Sequence, residues 1–167
     1  MKLTRKERLF LSNQLKILEK TYPDEAEYYA KHRKAIEMGY SLHYDGVAEH
    51  LYNEMSEEEC REVINILDMY RALTFSYKNL EDKSGIEERQ IEFPGFDGNN
   101  ETDQMAYTEY FINDLNRFDE LRDNSEFPDY NSHCPMLDKY RKMLKSWKES
   151  GNKHNLTKSE IIRILEA

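Results

Sequence analysis

Ser56-Glu57-Glu58-Glu59-Cys60-Arg61-Glu62-Val63-Ile64-Asn65-Ile66-Leu67-Asp68-Met69-Tyr70-Arg71-Ala72-Leu73 is the stretch that decides the fold. Ser56 followed three residues later by Glu59 forms a capping box: the hydroxyl accepts from the N3 amide and the carboxylate reaches back to the N-cap amide. Met55 before the cap and Cys60 at N4 supply a hydrophobic staple. Behind the cap, Val63, Ile64, Ile66, Leu67, Met69, Tyr70 and Leu73, continued by Phe75 and Tyr77, leave only a narrow polar strip. That strip runs through Arg61, Asn65, Asp68, Ser76 and Asn79. A helix apolar over most of its circumference must lie among others, so the sequence predicts a central helix over about 57–80.

Two further capping boxes flank it, Thr4 with Glu7 and Thr157 with Glu160. The first predicts a helix over about 5–20 with Leu11, Leu15 and Leu18 on one face. Tyr22-Pro23-Asp24 breaks it, and a second helix over 24–38 closes at Gly39, where a left-handed residue is needed. A short helix is expected over 46–54, with Val47 and Leu51 inward. After the irregular stretch 81–100, helical pattern resumes over about 101–121, with Tyr107, Phe111, Leu115 and Phe118 on one side. A polar loop over 122–134 follows. Pro135 then suits the first turn of a helix carrying Met136, Tyr140, Met143, Leu144 and Trp147, which Gly151 ends. Leu156 and Ile161 staple the last helix. The fold class is therefore all-α: a multihelical bundle around one long helix. The chain is read as one helical domain over 1–167; the alternative is a division into lobes near 1–80 and 101–167 joined by the ordered segment 81–100.

Within that segment Arg89, Ile91 and Phe93 alternate, which predicts one short extended piece. Phe93-Pro94-Gly95-Phe96 predicts a type II turn, with Pro presetting φ and Gly supplying φ > 0.

An apolar share of 38% and a mean hydropathy of −0.94 are low for a packed domain, but twelve Tyr and seven Phe offset this with large buried areas. The net charge of −9 is unevenly spread: −2 over 1–80, −11 over 81–131 and +4 over 132–167. The acidic middle argues against wrapping a nucleic-acid backbone. Opposed charge blocks, with abundant Tyr, predict a homo-oligomer or contact with an unidentified protein partner. Cys60 and Cys134 form no C-x-x-C pair and are read as two buried free thiols in a reducing compartment. Residues 1–18 show no apolar signal-peptide core, and no run is long enough to span a bilayer, so the expectation is a cytoplasmic protein without membrane contact.

The central-helix string Cys60–Leu73 resembles the signature of the YfbU family. So do Leu11-Ser12-Asn13-Gln14, Gly39-Tyr40, Asn79-Leu80-Glu81-Asp82, Glu88-Arg89 and Gly95-Phe96-Asp97. Pro135-Met136, Lys139-Tyr140, Met143-Leu144 and Trp147 complete it, in consistent order over nearly the whole chain. The resemblance implies a bacterial, cytoplasmic, multihelical protein, and it brings no reaction, cofactor or catalytic residue with it. Over 119–131 this chain is more acidic than the family pattern.

The residues themselves name no catalytic group, metal site or cofactor. His43, Asp45, Glu49 and His50 are the only compact cluster of ligand types, but H-E-x-x-H is absent and they read as surface residues at a helix start. His133-Cys134 lacks any cysteine-enzyme signature, and Cys134 reads as packing beside Met136. Loops carry a large share of binding function, so the candidate binding residues are Arg89, Phe93, Phe96 and Asp97, with Arg89 held by Asp97 or a neighbouring Glu. Arg61 and Asp68 join them as polar groups for an interhelical pocket, the route to an alternative reading as a hydrolase or small-molecule-binding enzyme. Lys139, Arg141, Lys142, Lys145 and Lys148 form a basic helix surface. A nucleic-acid role is a second alternative there, weakened because Tyr140 and Trp147 sit on the apolar stripe.

Overall fold

All three capping boxes form, and with them the all-α architecture. The computed structural model describes residues 1–122, 127 and 129–167, so 123–126 and 128 of the expected polar loop lie outside the described residues. Among the described residues the α-helices are α1 (Arg5–Thr21), α2 (Ala26–Met38), α3 (Glu57–Lys78), α4 (Thr102–Glu109), α5 (Leu137–Glu149) and α6 (Lys158–Leu165). One isolated parallel bridge, Phe96 to Asn131, is the sole β feature among them.

Thr4, Ser56 and Thr157 each accept from the N3 amide while Glu7, Glu59 and Glu160 return a carboxylate to the cap. These bonds hold Glu7 and Glu59 below their ordinary 4.5. Glu160, bonded to the Thr157 amide and paired with Lys153, is pulled down to about 2. A depressed carboxylate contributes stability that is complete above its unfolded pKa and lost as pH falls through the folded one. Helix N-terminal order should therefore be full above pH 4.5 and decline below it, with the α6 start persisting longest, towards pH 2. Amide hydrogen exchange at Glu7, Glu59 and Glu160 checks this; simultaneous loss at all three caps would contradict it.

The chain forms two units, Met1–Glu54 and Met55–Ala167. The boundary expected near residue 80 thus falls ahead of α3, which belongs wholly to the second unit. Cooperation decides this: α3 shares its core with α4, α5 and α6.

In the first unit α1 packs on α2 around Leu15, Ile36 and Tyr44. Gly39, at φ +78°, ends α2, and Arg8 donates to the freed carbonyls of Ile36 and Glu37, both at 2.7 Å. A cation there also suits the negative end of the helix dipole. The helix expected over 46–54 does not form. Short 3-10 turns occupy Ser41–His43 and Asp45–Ala48, and Leu51, expected inward, is 78% exposed. Tyr44 takes the core position instead, anchoring the chain between the turns. Gly46 lets it lie close to α2: a Cβ there would sit 2.9 Å from the His32 ring.

In the second unit α3 is the core, with Val63, Ile66, Leu67, Met69 and Leu73 fully buried. Trp147 packs from α5 and donates Nε1–H to the Lys153 carbonyl at 2.9 Å, while Leu156 and Ile161 bury beneath α6. Ser76, from the polar strip of α3, is also buried, accepting from the Leu156 amide at 2.8 Å and donating to the His154 carbonyl at 3.3 Å.

The helix expected over 101–121 stops early. α4 ends at Glu109 and widens into a π turn over Tyr110–Asp114, closed by Leu115 N–H to Tyr110 O at 3.0 Å. The added residue slips the register: Ile112 is buried and Leu115 exposed. Arg122 donates to the Ile112 carbonyl at 2.7 Å, and Phe118 has a left-handed backbone (φ +54°). Pro135 lies just before the N-cap, Met136, rather than in the first turn. The thiols are not both buried, since Cys60 is half-buried and Cys134 exposed.

Candidate functional site

The segment 93–101 is where the structure gathers the sequence-predicted residues most tightly. Phe93 and Phe96 are both buried; edge-on, Phe93 meets Tyr70 of α3 at a centroid distance of 5.1 Å and Phe96 meets Tyr140 of α5 at 5.4 Å. Such contacts each add stability beyond area burial. Burial pushes both tyrosine hydroxyls above their ordinary 10, so they remain neutral donors. Tyr140 Oη–H donates to the Gly95 carbonyl at 2.6 Å.

Gly95 has the expected positive φ, +87°. The type II turn is not closed, however: Phe96 N–H goes to the Tyr130 carbonyl at 2.9 Å, and Ser132 N–H returns to Phe96 O at 3.0 Å. A partner 34 residues away has replaced the local one. The extended piece expected around Arg89 is also absent, a 3-10 turn over Glu88–Gln90 standing there instead.

Asp97 and Glu101 are buried carboxylates whose oxygens are all engaged. Asp97 accepts from the Asn99 amide at 3.1 Å and from the Asn100 side chain, contacts that hold its carboxyl below the ordinary carboxylate range. Glu101 Oε2 accepts from the Asp97 amide at 3.0 Å, and Oε1 accepts from the Met136 and Leu137 amides, each at 2.8 Å. α5 has no side-chain cap of its own. Glu101 supplies one from 35 residues upstream, an anion on helix N-terminal amides. Nothing in the sequence near Glu101 signals this, because its partners are remote.

The other candidates lie elsewhere. Arg89 is exposed and pairs with Glu87 at 2.7 Å, the neighbouring-Glu arrangement, and does not reach Asp97. Arg61 is exposed and bonded to Glu57 at 3.0 Å. Asp68 lies half-buried, 3.5 Å from His154. Among the described residues no three His, Cys, Asp or Glu side chains converge as metal ligands. Cys134 Sγ sits 3.8 Å from Met136 Sδ, the packing expected for it.

A cavity of about 200 Å³ opens beside the aromatic cluster, between Thr74, Tyr77 and Lys78 of α3 and Glu88, Glu92 and Phe93 of the loop. Of the six candidates only Phe93 lines it. Sequence reasoning missed two features of the first unit. One is a second cavity, about 240 Å³, on the inner side of α1. The other is a run of exposed apolar side chains on the outer side of α1 and beyond.

The described residues form an all-helical protein with a capped central helix and a loop whose aromatic rings are buried against α3 and α5. The YfbU domain profile matches residues 1–167, the full length, and the chain belongs to the YfbU family. No helix among the described residues is long and apolar enough to cross a membrane.

Proposed function

We propose that this YfbU-family protein acts through protein contacts, and that its first partner is a second copy of itself, docked through the outer face of α1. The observation that carries the reading is an asymmetry of exposure. In the first unit Leu9, Phe10, Ile17 and Met38 are each 58–61% exposed, whereas the second unit, about twice as long, shows no described large apolar residue beyond 47%. Clustered exposed apolar surface marks interaction sites in soluble proteins.

Spacing and charge support the same reading. Lys6, Phe10, Asn13 and Ile17 follow a 4-3-4 spacing, the repeat of a coiled-coil seam, and a lone Asn in such a seam fixes register at some cost in stability. Residues 1–54 carry nine basic and nine acidic groups, so the docking units themselves meet without net repulsion, and the whole charge of −9 resides in residues 55–167. Near-zero net charge on the docking unit favours its association.

Light scattering on the full chain at micromolar concentration should give twice the 20.1 kDa chain mass. Phe10→Glu combined with Ile17→Glu should return the monomer with an unchanged circular dichroism spectrum, since both side chains point away from the core. A wild-type chain that stays monomeric defeats the reading.

A further inference from the structure

We infer that the cavity on the inner side of α1 is a binding site for a small organic cation: an ammonium head on an apolar body about the size of one aromatic ring. Its floor is Leu11, Leu15 and Leu18, and its walls include Tyr28, Tyr29 and Glu25. A dry cavity of about 150 Å³ holds benzene, so a space of about 240 Å³ admits a ring with a short substituent. The apolar floor takes the body of the ligand.

The walls set the sign of its charge. No Lys or Arg lines the cavity, in a chain that carries 24 of them; its basic groups are the imidazoles of His32 and His50, so a carboxylate or phosphate would find no fixed counter-charge. Tyr29 Oη–H donates to Glu25 at 2.7 Å and Tyr28 Oη–H donates to Glu49 at 2.9 Å. With their hydroxyls committed to carboxylates, the two phenols offer a ligand their rings and no free hydroxyl, and a ring's face is the negative pole of the aromatic quadrupole. The rings stand 5.4 Å apart at 76°, an edge-to-face contact, so they line the cavity side by side rather than as two plates around a ligand. His32 packs against Tyr28 at 4.5 Å and closes the side. Aromatic rings with a carboxylate alongside are the recognition chemistry of quaternary and protonated amines.

Isothermal titration of the full chain with benzyltrimethylammonium, benzyl alcohol and benzoate at neutral pH tests this. The cation should bind saturably with one site per chain, at least tenfold more tightly than the neutral alcohol, and benzoate should not bind. Tyr29→Leu and the surface-neutral Glu25→Gln should each weaken the cation about tenfold, the scale of one cation–π or charge contact. Glu25 is exposed, so the Gln variant keeps the reading testable if the Leu variant misfolds. Equal affinity for cation and alcohol, tighter binding of benzoate, no saturable heat from the cation, or indifference to Glu25→Gln would each overturn the assignment.

Discussion

Replacing Gly95 by alanine should destabilise residues 55–167 by more than about 4 kcal/mol, a loss confined to a few mechanisms, backbone strain and overpacking among them. Two of these act together. Gly95 has φ +87°, where an L side chain is strained by about 1–3 kcal/mol. A Cβ would also lie 1.9 Å from the Tyr130 carbonyl oxygen and 2.2 Å from its carbon, backbone atoms that no rotamer change can clear. Moving Tyr130 breaks the Phe96 and Ser132 bonds of the bridge and withdraws Gly95 O from Tyr140. Gly85→Ala is the control: φ is +78°, nothing lies within 4 Å of its Cβ, and only the strain remains, about 1–2 kcal/mol. Urea unfolding followed by Trp147 fluorescence measures both. Equal losses at the two sites would mean that the approach to Tyr130 is not the constraint.

The helices that could be read from sequence are those whose starting signal lies within four residues of the start. Thr4, Ser56 and Thr157 cap locally, and Gly39 and Gly95 adopt positive φ because only the backbone at that position matters. The misreadings share the opposite property. Phe96 N–H was assigned to Phe93 by local turn chemistry and goes to Tyr130. Leu51 fits a helical period with Val47, but the 3-10 turn ends at Ala48, so Val47 packs on the Leu15, Ile36 and Tyr44 core and Leu51 is left exposed. The stripe Tyr107, Phe111, Leu115, Phe118 assumes 3.6 residues per turn throughout, and a π turn at Tyr110–Asp114 cancels that assumption after the first turn. Of the candidate binding residues, Phe93, Phe96 and Asp97 are buried in one loop, while Arg89 takes the neighbouring-Glu option and stands apart from them. Periodicity carries no information on which way an exposed arginine turns, and Glu87 was nearer. Phe10 and Ile17 lie opposite the leucine stripe of α1, where apolar side chains follow no core-facing period.

Glu101 is the residue that most clearly shows a remote partner deciding a local structure, and its removal is the second large effect expected. Glu101→Ala should cost about 4–6 kcal/mol, because it leaves three amide donors, those of Asp97, Met136 and Leu137, without acceptors at about 1–3 kcal/mol each. The charge matters as well as the bonds, since the carboxylate sits where the α5 amides converge and no other side chain caps that helix. Glu101→Gln separates the two contributions. Its single carbonyl oxygen can serve the Met136 and Leu137 amides, while its NH₂ then faces the Asp97 amide, donor against donor, so its loss should be intermediate. Hydrogen exchange should locate the damage at the start of α5 and at Asp97, with the Thr157 cap of α6 unaffected. If Glu101→Ala cost less than about 1 kcal/mol, or if protection fell evenly along the chain, α5 would be held by the burial of Tyr140, Met143 and Trp147 alone. The carboxylate would then be a bystander to the helix it caps.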